Sequence, residues 1–565
     1  GYEELMRLYL EGHDYRYAAE QMMLTLFPGQ RPEYPAEGPD GTDNAAWLTL
    51  AVEGGEVVAR AELWWNGAHT AGVRRAPVSE LTGGLEDDRV RQRVLRLAFY
   101  DAGVAALGHE PPWGALTGVR PVKLPTRQMA AGASRAAARS RLTDLFRVSE
   151  SRAELAMECA DAALAVRRSL APDGMSLYIG IPFCPTRCAY CSFISADVNR
   201  ALRLVEPYVD ALCREIELSG ALLRERGLHI STAYMGGGTP TTLSAEQLDR
   251  VLTAAERFLP MERCAEFTVE AGRPDTITAD KLDTLRRHGV QRISVNPQTL
   301  EDHVLRAMGR AHTAAQIGEA MALAEEHFGG MVNMDLIAGL PTDSLAGFER
   351  TLSGVLGMAP ANITVHTLAL KKGARLAEEG GDLCTPEEVA AMLTLAEKQL
   401  RAAGYAPYYL YRQKYMSGNF ENVGWCKHHD IGLYNIYMME EMHTILSLGG
   451  GGMNKVNLPG GKLERFHNPK YPAQYIERLD TVLPGADQNW NQRYRANMLH
   501  LRSGKPEEVA LVIKSLALRE RGHGLSNGEK KMLLSARQIL VSELAFALDR
   551  PPEEMDALVR RKLCE

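Results

Sequence analysis

Three cysteines, Cys184, Cys188 and Cys191, stand in a C-x3-C-x2-C pattern within YIGIPFCPTRCAYCSFIS, Tyr178 to Ser195. They follow directly on an apolar run, 177–183. Three thiolates at this spacing cannot share one side of a helix or strand, so they predict a loop wrapped around a metal centre. A [4Fe–4S] cluster ordinarily takes four cysteine ligands. A dedicated loop with three therefore predicts a cluster with one iron open to a small molecule. A zinc knuckle or three unrelated buried thiols would use the same residues. Structural zinc needs a fourth Cys or His nearby, and Cys213 downstream falls inside the next expected helix.

At 565 residues the chain exceeds one ordinary domain, and about two to four are expected. Its composition, 45% apolar and 24% charged, is that of a soluble globular protein. No apolar run approaches the ~20 residues that span a bilayer, so no membrane partner is expected. The opening stretch GYEELMRLYLEGHDYRYAAEQ lacks a basic-then-apolar signal pattern, and Gly1 in first place predicts that the native start lies upstream. The nine cysteines are odd in number and only three cluster. That argues for a reducing, cytoplasmic setting rather than a disulfide scaffold. The net charge of −7 hides a basic C-terminal segment.

Residues 1–170 predict an N-terminal α+β module. Alternation on both sides of Gly54-Gly55 predicts a β-hairpin over 47–65. The 90–107 stretch has helical spacing. WGALTGVRPVK, 113–123, reads as a loop with a turn signal, on its plainest reading a surface connection between helices. The Ala- and Arg-rich 130–140 stretch reads as helix or linker.

From 175 to about 370 the pattern becomes strand–helix alternation. Strands are expected at 177–183, 232–236, 266–271, 292–296, 332–337 and 363–368. Ser244 with Gln247 forms a capping-box pattern, and Thr385-Pro386-Glu387-Glu388 supplies a cap, a first-turn proline and an acid. Such alternation implies parallel strands with right-handed crossovers. The fold class is α/β, with a partial (β/α)6 barrel over 171–375, a substrate-region segment over 376–480 and an all-α domain over 481–565. Chemistry in such folds sits at the C-terminal strand ends. There the chain carries Gly236-Gly237-Gly238-Thr239-Pro240-Thr241, then Glu270, Gln298, Arg310 and Asp335. A glycine turn lets a ligand approach backbone N–H groups. Each acid or arginine alone is as consistent with a structural ion pair.

The cysteine pattern with Tyr190 before its third member resembles the radical S-adenosylmethionine (SAM) superfamily. WGALTGVRP, SLYIGIPFCPTRCAYCSF, YMGGGTPT, FTVEAGRPDT, RISVNPQT, MDLIAGLP, ITVHTLALKKG, YYLYRQKYMSGNFENVGW and LGGGGMNK follow in order. Over about 110–478 they resemble the oxygen-independent coproporphyrinogen dehydrogenases, in their HemZ-type branch. The resemblance implies a [4Fe–4S] cluster on Cys184, Cys188 and Cys191 and SAM held by Tyr178, Gly237, Gly238, Thr239, Glu270, Gln298, Arg310, Asp335 and Ala369. Glu270 and Arg310 would take the methionine end, Gln298 and Asp335 the ribose. It further implies a tetrapyrrole substrate and a one-electron donor of the flavodoxin or ferredoxin kind. The reaction would be decarboxylation of coproporphyrinogen III propionates to the vinyls of protoporphyrinogen IX. The chain departs from that family where Cys191 is followed by Ser192-Phe193 with no further cysteine, and where the family's N-terminal tyrosine segment is not recognisable. Haem chaperones share Cys-x-Phe, but their His-Asn-x-Tyr-Trp motif is incomplete at 421–425. Haem-opening methyltransferases are a further related class.

Two stretches remain. Tyr408, Tyr409, Tyr411, Arg412 and Lys414 pair flat rings with cations suited to a carboxylate-bearing tetrapyrrole, or else form an exposed strand edge. Gly449 to Gly452 reads as a flexible turn. The C-terminal segment predicts helices, with Ser526 and Glu529 as a capping box and Pro506 and Pro551-Pro552 at starts. Its cations, Arg493, Arg495, Lys505, Lys514, Arg519, Arg521, Lys530, Lys531 and Arg537, read as a solvated face or a phosphate-backbone footprint. NWNQRYRANM, LALRERGHGLSNGEKKML and ARQILVSEL resemble the C-terminal helical domain of CarD/CdnL transcription regulators. That resemblance implies DNA contact, with Trp490 as a minor-groove wedge. Their N-terminal β-domain is not recognisable here.

Overall fold

The computed structural model describes residues 4–564 except 186–195, 370–382, 414–418, 459–461, 483–496, 499, 502, 504 and 523. Strands β1 (Glu4–Glu11), β2 (Gln30–Glu33), β3 (Ala45–Glu53), β4 (Glu56–Trp65) and β5 (Ala68–Pro77) form one sheet in the order β2-β1-β3-β4-β5. The expected hairpin is β3–β4. Glu53 pairs with Glu56 across Gly54 and Gly55, which sit at φ 56° and 81°. That is the left-handed pair a two-residue turn of matching twist requires. Helices Arg16–Leu26 and Leu85–Leu107 pack apolar residues such as Met22, Phe99 and Tyr100 against Met6, Leu8 and Leu48.

The second sheet contains the barrel. After β6 (Gly174–Ile181) come the short pair β7 (Phe183–Cys184) and β8 (Ala196–Asp197). Then follow β9 (His229–Gly237), β10 (Glu266–Gly272), β11 (Arg292–Val295), β12 (Met331–Ala338) and β13 (Asn362–Thr367). The strands β6, β9, β10, β11, β12 and β13 lie side by side and parallel. These are the six strands the sequence predicts. Their alternate residues Leu177, Ile179, Ala233, Met235, Val269, Ile293, Met334 and Leu336 are fully buried in the main core. Capping boxes at Ser244/Gln247, Thr313/Gln316 and Thr385/Glu388 open three of the surrounding helices. Beyond β13 the sheet continues antiparallel through β15 (Asn422–Cys426) to β14 (Ala406–Tyr411). Beyond β6 it adds β16 (Ile445–Leu448), parallel, then β17 (Met453–Asn457) and β18 (Leu463–His467).

The inward rows of the barrel are largely polar, and at the N-terminal strand ends they are satisfied by a plug. The Glu266 carboxylate accepts from the Leu433 and Tyr434 N–H groups at 2.9 and 3.2 Å. It thereby holds the start of helix Leu433–Met439, where a negative charge is favourable. Arg292, fully buried, donates to Asn333 Oδ1 at 2.9 Å, to Asn362 Oδ1, and to the Asp430 and Ile431 carbonyls. A buried guanidinium persists only when so surrounded.

The WGALTGVRP stretch is not a surface connection. Trp113 is wholly buried and donates to Glu421 Oε2 at 2.7 Å, and Arg152 pairs with Glu421 Oε1 at 3.0 Å. Arg412 donates to the Leu116 carbonyl at 2.5 Å and the Asn419 carbonyl at 3.2 Å. The loop is therefore stitched to the far end of the barrel chain. The adjoining 130–140 stretch contributes the end of helix Lys123–Ala130 and all of Arg135–Ser140.

Helices Pro506–Gly522, Asn527–Leu548 and Pro552–Val559 pack around their own core of Val509, Ile513, Leu516, Met532, Ala536, Leu540 and Met555. The Ser526/Glu529 capping box is present. Among the described residues no helix is long and apolar enough to cross a membrane.

Glu421→Ala leaves the buried Arg152 and Trp113 Nε1 without their acceptor. The expected destabilisation is about 3–5 kcal/mol, the usual effect of orphaning one member of a buried pair. Denaturant unfolding of wild type and variant measures it.

Candidate functional site

The opposite end of the barrel, where the strands finish, is built on a close backbone approach. After β9 the Gly238 N–H donates to the Ile181 carbonyl at 2.8 Å and the Thr239 N–H to the Phe183 carbonyl at 2.7 Å. The glycine turn thus lies along the strand that leads into the cysteine loop. A Cβ on Gly238 would sit 2.3 Å from the Phe183 oxygen, and one on Gly236 would sit 2.7 Å from Glu270 Oε2. Neither position admits a side chain without movement of its surroundings. Thr239 is buried, with its Oγ1 3.6 Å from Cys184 Sγ. Cys188 and Cys191 lie outside the described residues.

Across the lumen stand Glu270 on β10 and Asp335 on β12. Burial pushes the Glu270 carboxyl up to about 8, helped by the Asp335 charge. The Gly237 N–H and Arg310 oppose the rise. Two carboxyls so placed cannot both ionise cheaply without a cation. Asp335 is 3.4 Å from His366 Nε2, and His366 Nδ1 faces Tyr411 Oη at 3.5 Å. Arg310 follows helix Asp302–Ala307, its N–H bonded to the Leu305 carbonyl at 2.9 Å.

Gln298 occupies an unusual backbone conformation for a residue with a side chain, φ 64°. Its N–H donates to the Asp335 carbonyl at 3.0 Å, and its own carbonyl accepts from Ile337 at 3.0 Å. Such strain persists where surrounding structure fixes it and concentrates at functional sites. The buried Gln298 Oε1, Asn296 Oδ1 and Ser294 Oγ have no hydrogen-bond partner among the described residues. One wall of the lumen is aromatic: Tyr178 stacks on Tyr234 at 6.2 Å and Tyr234 on the plug residue Tyr434 at 4.9 Å. Ala369 follows β13, half-buried.

The structure therefore brings Tyr178, Gly237, Gly238, Thr239, Glu270, Gln298 and Asp335 to one end of the barrel, with Arg310 in electrostatic reach of Glu270. Sequence reasoning did not pick out Tyr234, Ser294, Asn296 and His366. The period-2 alternation that marks the strands could have found them, since each lies in the inward row. Arg412 is a correction. It is buried, its guanidinium pulled down to about 10 by burial, and it holds main-chain carbonyls rather than facing a ligand. Tyr408 and Tyr409 are buried too, so this strand is no exposed edge; Tyr409 Oη meets Thr364 Oγ1 at 3.2 Å. Lys414 lies outside the described residues. The Gly449–Gly452 turn is pinned rather than free: Gly449 N–H donates to Glu215 and Gly450 N–H to Tyr208 Oη, both at 2.7 Å. In the C-terminal helices, Arg519 pairs with Glu529 and Arg537 with Asp556, which withdraws both from the expected cationic face. Trp490, Arg493 and Arg495 lie outside the described residues.

A parallel barrel whose first strand runs on to the first cysteine of the motif, with a polar, carboxylate-bearing mouth at the strand ends, is the architecture of a radical SAM protein, and the Radical SAM superfamily profile matches residues 178–353. The profile of the CarD C-terminal domain matches 476–560. The chain belongs to the HemZ-type family of oxygen-independent coproporphyrinogen-III oxidase-like proteins. It is 38% identical over 382 residues to Oxygen-independent coproporphyrinogen-III oxidase-like protein HemZ of Bacillus subtilis (strain 168), which covers 66% of this chain and 76% of that one. Heme chaperone HemW of the same organism is 30% identical over 292 residues, 50% of this chain and 73% of its own. The solved coproporphyrinogen III oxidase (HemN) from Escherichia coli overlays 56% of this chain and 71% of its own at 25% identity, with a TM-score of 0.45.

Membership of the superfamily implies a [4Fe–4S] cluster and SAM. The described residues fit the latter. The buried carboxyl of Glu270 beside the Asp335 charge calls for a cation, and Gln298 and Asn296 offer buried acceptors with no partner among the described residues.

The folded protein holds the Glu270 proton up to about pH 8, whereas an unfolded glutamate loses it near 4.3. Stability contributed by this proton is complete below the unfolded value and is lost as pH rises through the folded one. The Glu270→Gln variant lacks that loss. Its thermal midpoint, relative to wild type without added cofactor, is expected to rise steadily between about pH 5 and pH 8. A constant offset would contradict the raised carboxyl.

Proposed function

We propose that this protein removes propionate carboxyl groups from coproporphyrinogen III without oxygen, giving vinyl groups and protoporphyrinogen IX. The observation that carries the reading is the barrel mouth. Glu270 and Asp335 face a polar lumen that is sealed at its far end by the Leu433–Met439 plug. Kinship to a protein named as coproporphyrinogen-III oxidase-like supports the substrate class.

In this reading Cys184, Cys188 and Cys191 hold the cluster. Glu270 and Arg310 take the methionine amine and carboxylate of SAM, and Gln298 and Asp335 the ribose hydroxyls. Gly237, Gly238 and Thr239 lend main-chain contacts, with Tyr178 and Ala369 at the walls. Cluster and SAM together supply one-electron cleavage of a sulfonium and, through it, abstraction of a hydrogen atom from substrate carbon. Glu270 releases its proton when a ligand ammonium comes against it, because the cation removes the penalty that raised its pKa. His366 fixes Asp335 from behind and presents its other nitrogen to Tyr411. The plug excludes water from the end of the lumen remote from the mouth. The electron donor is proposed to be a flavodoxin or ferredoxin.

Similarity to proteins named heme chaperone HemW, together with the Ser192-Phe193 pair after Cys191, favours haem handling as a second reading. One anaerobic experiment separates the two. The reconstituted protein, SAM, a strong reductant and coproporphyrinogen III are expected to yield 5′-deoxyadenosine and two successive losses of CO2 by mass spectrometry. Haem transfer without deoxyadenosine would establish the chaperone reading instead. Alanine at any one of the three cysteines is expected to remove the visible absorbance of the cluster and both products.

The CarD-like helices support a separate proposal, binding of duplex DNA with Trp490 at the minor groove and Arg493 and Arg495 on the phosphates. Binding should weaken as salt rises, and Trp490→Ala should weaken it about tenfold or more. Fluorescence anisotropy on the full chain reads both; equal affinity of variant and wild type removes Trp490 from the interface.

A further inference from the structure

Away from the barrel mouth, a cavity of about 250 Å3 lies beside the C-terminal end of the plug helix. Lys123, Arg127, Arg167, Glu440, Glu441 and Asn457 are among its walls. Two separate segments supply the lining cations, helix Lys123–Ala130 and the last turn of helix Glu150–Arg167, while the β17–β18 hairpin contributes Asn457 and Leu463.

The charges do not balance. Glu441 is already shared by Lys123, by Arg120 at 3.6 Å and by Arg465 at 3.1 Å. Arg120 also holds the Met438 and Met439 carbonyls at the end of the plug helix. The side chains of Arg127 and Arg167, both exposed on the rim, make no ion pair or hydrogen bond among the described residues, and Arg167 acts on Glu440 only through its charge. Burial, reinforced by the neighbouring Arg120, pulls Lys455 down to about 8, the response of an ammonium crowded by like charges. The other acid, Glu440, is 8% exposed, and its Oε1 has no hydrogen-bond partner among the described residues. Burial pushes it up to about 7, so its carboxyl can also serve as a donor.

We propose that this cavity is a binding site for the phosphate group of a small phosphorylated metabolite, held by Arg127 and Arg167, with Glu440 hydrogen-bonded to the ligand. Guanidinium groups match phosphate oxygens in pairs. The volume admits a phosphate or diphosphate with a short polyol but not a tetrapyrrole macrocycle, which separates the site from the substrate proposed for the barrel mouth. It is independent of that reading. The site also has a route to the lumen: the same seven-residue helix carries Tyr434, stacked on Tyr234, at its start and the Arg120-held carbonyls at its end.

The test uses the full chain at low salt, with inorganic pyrophosphate as probe and coproporphyrin as the carboxylate control, both by titration calorimetry. Pyrophosphate is expected to bind wild type in the micromolar range. The Arg127→Glu/Arg167→Glu double variant is expected to bind at least tenfold more weakly, with its circular dichroism unchanged. The single variant Arg167→Gln, which keeps part of the stem and removes the charge, is expected to weaken binding in the same direction. No pyrophosphate binding to wild type, equal affinity in both variants, or coproporphyrin competing for the same residues would each overturn the proposal.

Discussion

A barrel wall with polar inward rows cannot fill its centre with a dry core, and most of this structure follows from that constraint. Each inward group must find a partner, because burial without one costs about 1–3 kcal/mol per group. At the strand starts the partners come from the chain itself: Glu266 and Arg292 grip the backbone around Asp430–Tyr434. At the strand ends several acceptors keep no partner among the described residues. The same rows thus build a closed floor and a receptive mouth.

The mouth is tuned by proximity rather than by any single residue type. Glycines at 236 and 238 let the turn after β9 lie against both Glu270 and the strand leading to Cys184. Asp335 raises the cost of ionising Glu270, while Arg310 and the Gly237 N–H lower it. The left-handed Gln298 is held by two main-chain bonds to β12. This is an electrostatic balance that a zwitterionic ligand can tip, since such a ligand brings both signs at once.

Local features were well marked in the sequence, and long-range ones were not. The six parallel strands, the Gly54-Gly55 hairpin and the Ser244, Thr385 and Ser526 caps depend on neighbours a few residues away, so period and cap chemistry reveal them. The glycine turn after β9 was legible for the same reason. Trp113 and Arg412 were misread because their partners, Glu421 and Leu116, lie some three hundred residues off. The plug left no signal, since Leu433–Met439 looks like any short amphipathic helix until Glu266 and Arg292 are placed beneath it. Tyr234 and His366 were overlooked although period 2 places both in the inward row, because alternation marks the row and not which of its members reach the mouth.

The pairing of β16 with β6, Ser176 against Ile445, bears on the order of biogenesis. The first barrel strand leaves the ribosome long before its outer neighbour exists. Until Ile445–Leu448 emerges, β6 presents a bare edge, and the Arg292 guanidinium waits for carbonyls not yet synthesised. Such an unpaired edge is prone to pair with other chains. A nascent chain halted before residue 430 would therefore hold most of the wall yet remain a natural client for chaperones, and successful assembly would be decided by the last third of translation.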